Sequence, residues 1–335
     1  MTLPSAEELR AARLRAVLVS LVVGVTLCLV KFGAWLITDS SAVLSDALES
    51  IVNVVAALFA LGSLSFATRP ADPSHPYGHG KVEFLSSGFE GGLVAFAAMV
   101  IVYQAAEALW AGHRLNSIGD GVILIAAAGV GNAVLGWYLV RSGRRIHSPA
   151  VEADGLHVLS DFWTSAGVVV GLALVWLTGW HVIDPLVAVV VGVNLGWMGT
   201  RIVRRAVGGL LDESDLELLS RLVDAFNRVE NPGVIAIHRL RAIRFGGVAH
   251  IDAHLVVPRS WTVEEAHDVA NRFEQSVIEH VGHHAEINFH LDPCRSTECG
   301  ECGRDPRARQ RHEAGRRLWT LEEVTGEAMP ERLAS

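Results

Sequence analysis

Apolar residues run almost unbroken through six stretches, at about 14–38, 41–67, 84–111, 119–140, 153–178 and 183–208. Each meets the roughly 20 residues a helix needs to cross a hydrocarbon layer about 30 Å thick, so residues 14–208 are expected to form a six-helix membrane domain. Basic residues sort to one side of these stretches. Arg10, Arg13 and Arg15 precede the first, Arg69 and Lys81 flank the second loop, Arg141, Arg144 and Arg145 follow the fourth, and Arg201, Arg204 and Arg205 close the sixth. The opposite connections carry little beyond Arg114. Positive charge is retained on the cytoplasmic face, which puts both termini there and leaves residues 1–13 as a short cytoplasmic segment.

Near Gly209 the period changes. Asp212 to Val229 reads as an amphipathic helix with Leu216, Leu219, Leu222, Val223 and Phe226 on one stripe. Two alternating runs follow, Val234–Ile243 and Val248–Val257, divided by the turn signal Gly246-Gly247. Thr262 to His280 is helical in pattern and opens with the capping-box sequence Thr262-Val263-Glu264-Glu265; Ala285–Leu291 reads as a strand. The order αββαβ over residues 209–293 predicts a small open α/β sandwich, ferredoxin-like in class, on the cytoplasmic side. Residues 294–335 turn arginine-rich and poor in apolar side chains, and are expected to form a flexible tail carrying cysteines.

Composition narrows the function classes. With 50% hydrophobic and 19% charged residues, the chain is too apolar for an ordinary soluble enzyme. The formal charge of −8 says little about partners in a chain whose charges are sorted by side, and nothing points to nucleic acid. No secretory cleavage pattern is expected ahead of the first apolar run, because Arg13 and Arg15 lead straight into a spanning stretch.

Chemistry enters with His157 and Asp161, one helical turn apart inside the fifth run. Ionisable groups at membrane depth cost several kcal/mol and usually line a path for ions or protons. An imidazole and a carboxylate at i and i+4 share a helix face, as two ligands of one divalent metal would. Glu49 and Asn53 repeat the spacing in the second run, and Asp46 precedes Glu49 on the same stripe. Oxygen donors plus one imidazole suit zinc, iron, cobalt or manganese rather than copper(I). Such groups can also simply hydrogen-bond helices together, but two pairs on separate segments favour a metal site. In the loop Asp72-Pro73-Ser74-His75-Pro76-Tyr77-Gly78-His79-Gly80-Lys81, Asp72, His75 and His79 could converge on an ion or belong to a tight solvated connector.

At these residues the chain resembles the cation diffusion facilitators, membrane antiporters that exchange divalent metals for protons. Leu156-His157-Val158-Leu159-Ser160-Asp161, the loop from Pro70-Ala71-Asp72 to His79-Gly80-Lys81, and His290-Leu291-Asp292-Pro293-Cys294 carry the resemblance, which covers about residues 10–294. It implies six membrane helices, a cytoplasmic metal-binding domain, a homodimer, and location in the bacterial inner membrane. It implies a transport site at Glu49, Asn53, His157 and Asp161, with Asp46 as a further donor, and a regulatory metal site at His238, His254, His267, His290 and Asp292. Family members usually carry Asp or His at the position of Glu49 and Asp at that of Asn53, so this site holds one charge fewer. Zinc is the foremost substrate expected, with iron, cobalt, nickel, manganese and cadmium as alternatives.

His250 sits four residues from His254 on an alternating strand and is a further candidate ligand. Cys294, Cys299 and Cys302 offer three soft donors for a tail metal site, or are free reduced thiols. Lys81 and Asp212 are placed either to meet as an ion pair bracing a dimer or to face solvent. The rival functions are a membrane-embedded metal sensor that binds without moving ions, and an intramembrane metalloenzyme. The second lacks a His-Glu-x-x-His helix and any recognisable nucleophile–base spacing.

Overall fold

The computed structural model describes residues 6–38, 41–111, 121–180, 182–229, 233–246, 248–281, 285–294 and 318–326. The chain divides into two compact units, one ending at Leu211 and the next beginning at Asp212. The first contains the helices α1 (Ala6–Thr38), α2 (Ser41–Ala67), α3 (Val82–Ala111), α4 (Gly121–Arg145), α5 (Pro149–Thr178) and α6 (Ile183–Leu210). Their lengths of 25 to 33 residues correspond to about 37–50 Å at 1.5 Å per residue, longer than a hydrocarbon core. Among the described residues, Arg10–Gly33, Val82–Trp110 and Pro185–Leu210 are both long and apolar enough to cross a membrane. Their outward faces remain hydrophobic, with Leu29, Phe96, Tyr103 and Trp197 exposed. This surface suits lipid rather than water.

Helices α4 and α5 pack side by side, and so do α3 and α6. Glycine lets the first pair approach closely. A Cβ at Gly155 would lie 2.5 Å from the Val140 nitrogen, and one at Gly136 would lie 2.9 Å from the Gly155 carbonyl. Small residues at a helix contact replace the hydrophobic drive that lipid does not supply. The fifth helix begins earlier than its apolar run. Ser148 caps it, accepting a hydrogen bond from the Val151 N–H, and Pro149 takes the first turn. Buried Arg13 crosses to Glu83 at 2.9 Å and to the Ile146 carbonyl at 2.9 Å, while the Ser148 hydroxyl also donates to Glu83. Thus Arg13, counted in the sequence as a cytoplasmic charge, ties α1 and α3 to the turn before α5.

The second unit runs α7 (Leu216–Arg228), β1 (Ala236–Phe245), β2 (Val248–Val257), α8 (Val263–Val281) and β3 (Ala285–Pro293). The strands lie in the order β1-β2-β3, with β1–β2 antiparallel and β2–β3 parallel. This is the small α/β architecture that the patterning implies. Leu218, Leu222 and Phe226 of α7 and Phe273 and Val277 of α8 cover one face of the sheet, with Ile237, Ile251 and Leu255 beneath them. Asp215 caps α7 by accepting from the Leu218 N–H and pairs with Arg244.

Two expectations for the tail need correction. Cys294 belongs to the domain core: it is 3% exposed, and its N–H donates to the Val257 carbonyl at 2.9 Å. Leu318–Gly326, placed by composition in a flexible tail, is ordered and contains the short helix α9 (Leu321–Thr325). Trp319 and Val324 join the hydrophobic core, and Thr320 with Glu323 closes a capping box. Two well-spaced apolar anchors and a cap are enough to dock this segment, although the chain before it is arginine-rich. Cys299 and Cys302 lie outside the described residues.

Candidate metal sites

Helices α2 and α5 bring Asn53, His157 and Asp161 together. The Asn53 Nδ2 donates to Asp161 Oδ2 at 2.5 Å, and Asn53 Oδ1 lies 3.0 Å from His157 Nε2. This pairing orients the amide. A carboxylate only accepts, so Nδ2 must face Asp161, which turns Oδ1 towards the ring and makes His157 Nε2 the donor. His157 is 5% and Asp161 8% exposed. Ser160 bonds the His157 carbonyl at 2.6 Å and Thr164 the Asp161 carbonyl at 2.8 Å. The backbone carrying both candidate ligands is thereby tied to neighbouring side chains. Asp46 and Glu49 are on α2, but their side chains lie outside the described residues.

Beside this cluster is a small cavity lined in part by Ser20, Ser50, Asn53 and Asn132. Ser20 of α1 and Asn132 of α4 are both buried. Each is a polar residue set among apolar neighbours, and no spacing distinguishes it in the sequence. Glu90 and Asp154, at 0% and 1% exposed, are also buried carboxyls within the apolar runs.

In the α2–α3 connection, Asp72, His75 and His79 form a group whose ligand atoms lie within 4.8 Å of one another. Asp72 Oδ1 accepts from the Ser74 N–H and hydroxyl and from the His75 N–H at 2.6 to 2.9 Å. Asp72 Oδ2 lies 3.3 Å from His79 Nε2. The Ser74 hydroxyl, helped by the two backbone N–H groups, holds the Asp72 carboxyl well below the usual carboxylate range. His79 is buried against the edge of Phe66, whereas Asp72 and His75 are exposed. Gly78, at φ 81°, makes the left-handed turn that brings His79 back to Asp72.

The cytoplasmic candidates divide into three groups. His238, His254 and His290 stand opposite one another on β1, β2 and β3, a single row across the sheet. Asp292 reaches all three: Oδ2 is 2.8 Å from His254 Nδ1 and 3.4 Å from His238 Nε2, and Oδ1 is 3.3 Å from His290 Nε2. The ligand atoms of His238, His254 and Asp292 lie within 4.8 Å of one another. Two imidazoles and a carboxylate with a third ring alongside match the donor set of a zinc site. His250 falls in another row, where it meets Glu286 at 3.2 Å and the edge of Phe245. His267 is exposed on α8 beside Asn271. Neither joins the cluster. Lys81 and Asp212 fall in different units, and their pairing remains an expectation of the sequence.

Comparison with known proteins agrees with this division. Residues 17–211 match the cation efflux transmembrane domain, and residues 215–294 match the cytoplasmic domain of cation efflux proteins. An uncharacterized transporter of Synechocystis sp. is 40% identical over 264 residues, 78% of this chain and 84% of its own. The cation-efflux pump FieF of Escherichia fergusonii is 30% identical over 284 residues, 84% of this chain and 92% of that protein. FieF of Citrobacter koseri is 30% identical over 281 residues, with the same coverage. A helical membrane unit and a sheet-bearing unit, each matched by its own family model, make the chain a member of the cation diffusion facilitator family: an integral membrane transporter of divalent metal ions, not an enzyme.

Proposed function

We propose that this protein expels divalent metal ions, zinc foremost, in exchange for protons, working by alternating access as a homodimer. Its six long helices span a bacterial inner membrane, with both termini in the cytoplasm. The observation that carries the reading is the meeting of Asn53 with both His157 and Asp161 between α2 and α5. Glu49, one turn before Asn53 on the same helix face, completes the transport site, and Asp46 stands as a further donor.

The hydrogen-bond pattern supports proton exchange. With its Nε2 donating to Asn53, His157 presents a proton where a metal would bind. Metal entry at Nε2 must move that proton: from an imidazolium it leaves the ring, which links binding to proton release, whereas a neutral ring passes it to Nδ1. An outward-facing site would run the sequence backwards, protons replacing the ion at His157 and Asp161. Asp72, His75 and His79 form a second metal site in the loop. His238, His254, His290 and Asp292 form a regulatory one. The names of the FieF relatives, cation-efflux pumps, support the direction of transport.

Proteoliposomes offered zinc, iron, cobalt, nickel, manganese and cadmium in turn under an imposed pH gradient test the substrate. Zinc is expected to move fastest, and His157→Ala to abolish coupled uptake in folded protein. Undiminished gradient-driven uptake by that variant overturns the site. Metal binding by wild-type protein with no flux of any ion would favour the membrane-embedded sensor instead.

A further inference from the structure

We propose that Leu318–Gly326 is an intramolecular strap that aims His238 and so sets the metal affinity of the cytoplasmic site. This rests on the reading of His238, His254 and Asp292 as metal ligands. The β1–β2 ladder is regular except beside His238. There the register passes from His238↔His254 to Arg241↔Asp252, so that Arg239 and Leu240 oppose the single residue Ala253. Two residues against one is a β-bulge, a device that re-aims neighbouring side chains and leaves backbone groups without ladder partners. Arg239 takes a left-handed φ of 52° within it, a conformation that a non-glycine residue holds only when its surroundings enforce it.

The strap supplies that enforcement. The Arg239 N–H donates to the Gly326 carbonyl at 3.0 Å, in place of a bond to the neighbouring strand. Asn227 of α7 grips the other end of the strap by both backbone groups of Trp319, accepting from its N–H at 2.6 Å and donating to its carbonyl at 2.9 Å. Between these clips Trp319 and Val324 enter the same core as bulge residue Leu240. His254 and His290 depend much less on this arrangement, because the β2–β3 ladder runs unbroken from Ala249↔Ala285 to Val257↔Pro293. His238 is therefore the ligand whose aim the strap controls. Since residues 295–335 lie beyond the matched cytoplasmic domain, the strap is an addition to the family's common core.

The test uses the full-length chain in detergent, carrying Asp161→Ala and Asp72→Ala to silence the other two candidate sites. Zinc affinity is read by competition with a chromogenic chelator. Deleting residues 318–335 is expected to weaken zinc binding about tenfold, the usual lower range for losing a group that orients a ligand. Asn227→Ala, which leaves the strap in the chain but removes its side-chain grip, is expected to weaken it by a smaller step. A synthetic peptide of residues 318–335 should restore the deletion variant, and the same peptide with Trp319→Ala should not. Zinc affinity unchanged by the deletion, or a loss that the peptide does not reverse, overturns the strap while His238→Ala still weakens binding. If His238→Ala itself leaves zinc binding unchanged, the reading of the cluster as a metal site fails, and the strap proposal with it.

Discussion

Asn53 stands between two partners of opposite hydrogen-bonding need, a carboxylate that only accepts and an imidazole that here donates. An aspartate at that position would put two carboxylates in contact in a buried site and add a full negative charge facing any dication. Asn53→Asp is therefore expected to raise zinc affinity at the transport site by about tenfold, because a carboxylate ligand adds a full negative charge where the neutral amide adds none. It should also lower the thermal stability of the metal-free protein, since like charges would replace a hydrogen bond. Chelator competition and unfolding with and without EDTA measure the two effects; equal affinity in both proteins would contradict the first. The i, i+4 spacing makes His157 and Asp161 legible in the sequence, since a helix sets them on one face. Ser20 and Asn132 are not legible that way, because an isolated polar residue in an apolar run carries no periodic signal.

Helix α5 presents its two candidate ligands from a position set by contacts in the turns that precede them. The Arg13–Glu83–Ser148 network fixes its start, and Gly155 lets it lie against Val140 of α4. Gly155→Val is expected to force the two helices apart and cut transport at least tenfold while the protein still inserts and is purified intact. Transport at the wild-type rate would show that the close approach is dispensable. In the cytoplasmic unit Asp215 caps α7 and pairs with Arg244. Burial alone would raise its pKa, but the bonds from Arg244 and the Leu218 N–H outweigh this and hold the carboxyl below its usual range. Its stabilising contribution is then full above about pH 4, the ordinary unfolded value, and is lost as pH falls through the lower folded value. Asn caps a helix as well as Asp, so Asp215→Asn is expected to destabilise the domain by no more than about 1 kcal/mol at pH 7, through loss of the charge on the Arg244 pair. The difference from wild type should shrink as the pH falls below about 4, followed by denaturant unfolding. Helix boundaries were less legible than helices: apolar runs mark where lipid can lie, whereas Ser148-Pro149 marks where α5 starts. Strand periodicity recovered β1 and β2 to within two residues, but alternation gives no sign of the bulge at Arg239, which depends on the strap.

The whole molecule joins a cation-efflux membrane unit to a sheet that carries the candidate cluster of His238, His254 and Asp292. Binding to the folded cluster stabilises the fold that presents it. Zinc at about 100 times its dissociation constant should therefore stabilise the cytoplasmic unit by about 2.7 kcal/mol, and His254→Ala should remove that gain. Composition was a poor guide to the tail because docking needs only a few anchors: Trp319 and Val324 are buried although the stretch before them is arginine-rich. The central claim is that donors from α2 and α5 hold the transported ion together, and its most direct test is zinc flux into dye-loaded proteoliposomes under a pH gradient, comparing wild type with Asp161→Asn. Wild-type protein should accumulate zinc only while the gradient stands, with the variant reduced to the leak of protein-free vesicles. Gradient-driven accumulation by Asp161→Asn at the wild-type rate would contradict the account.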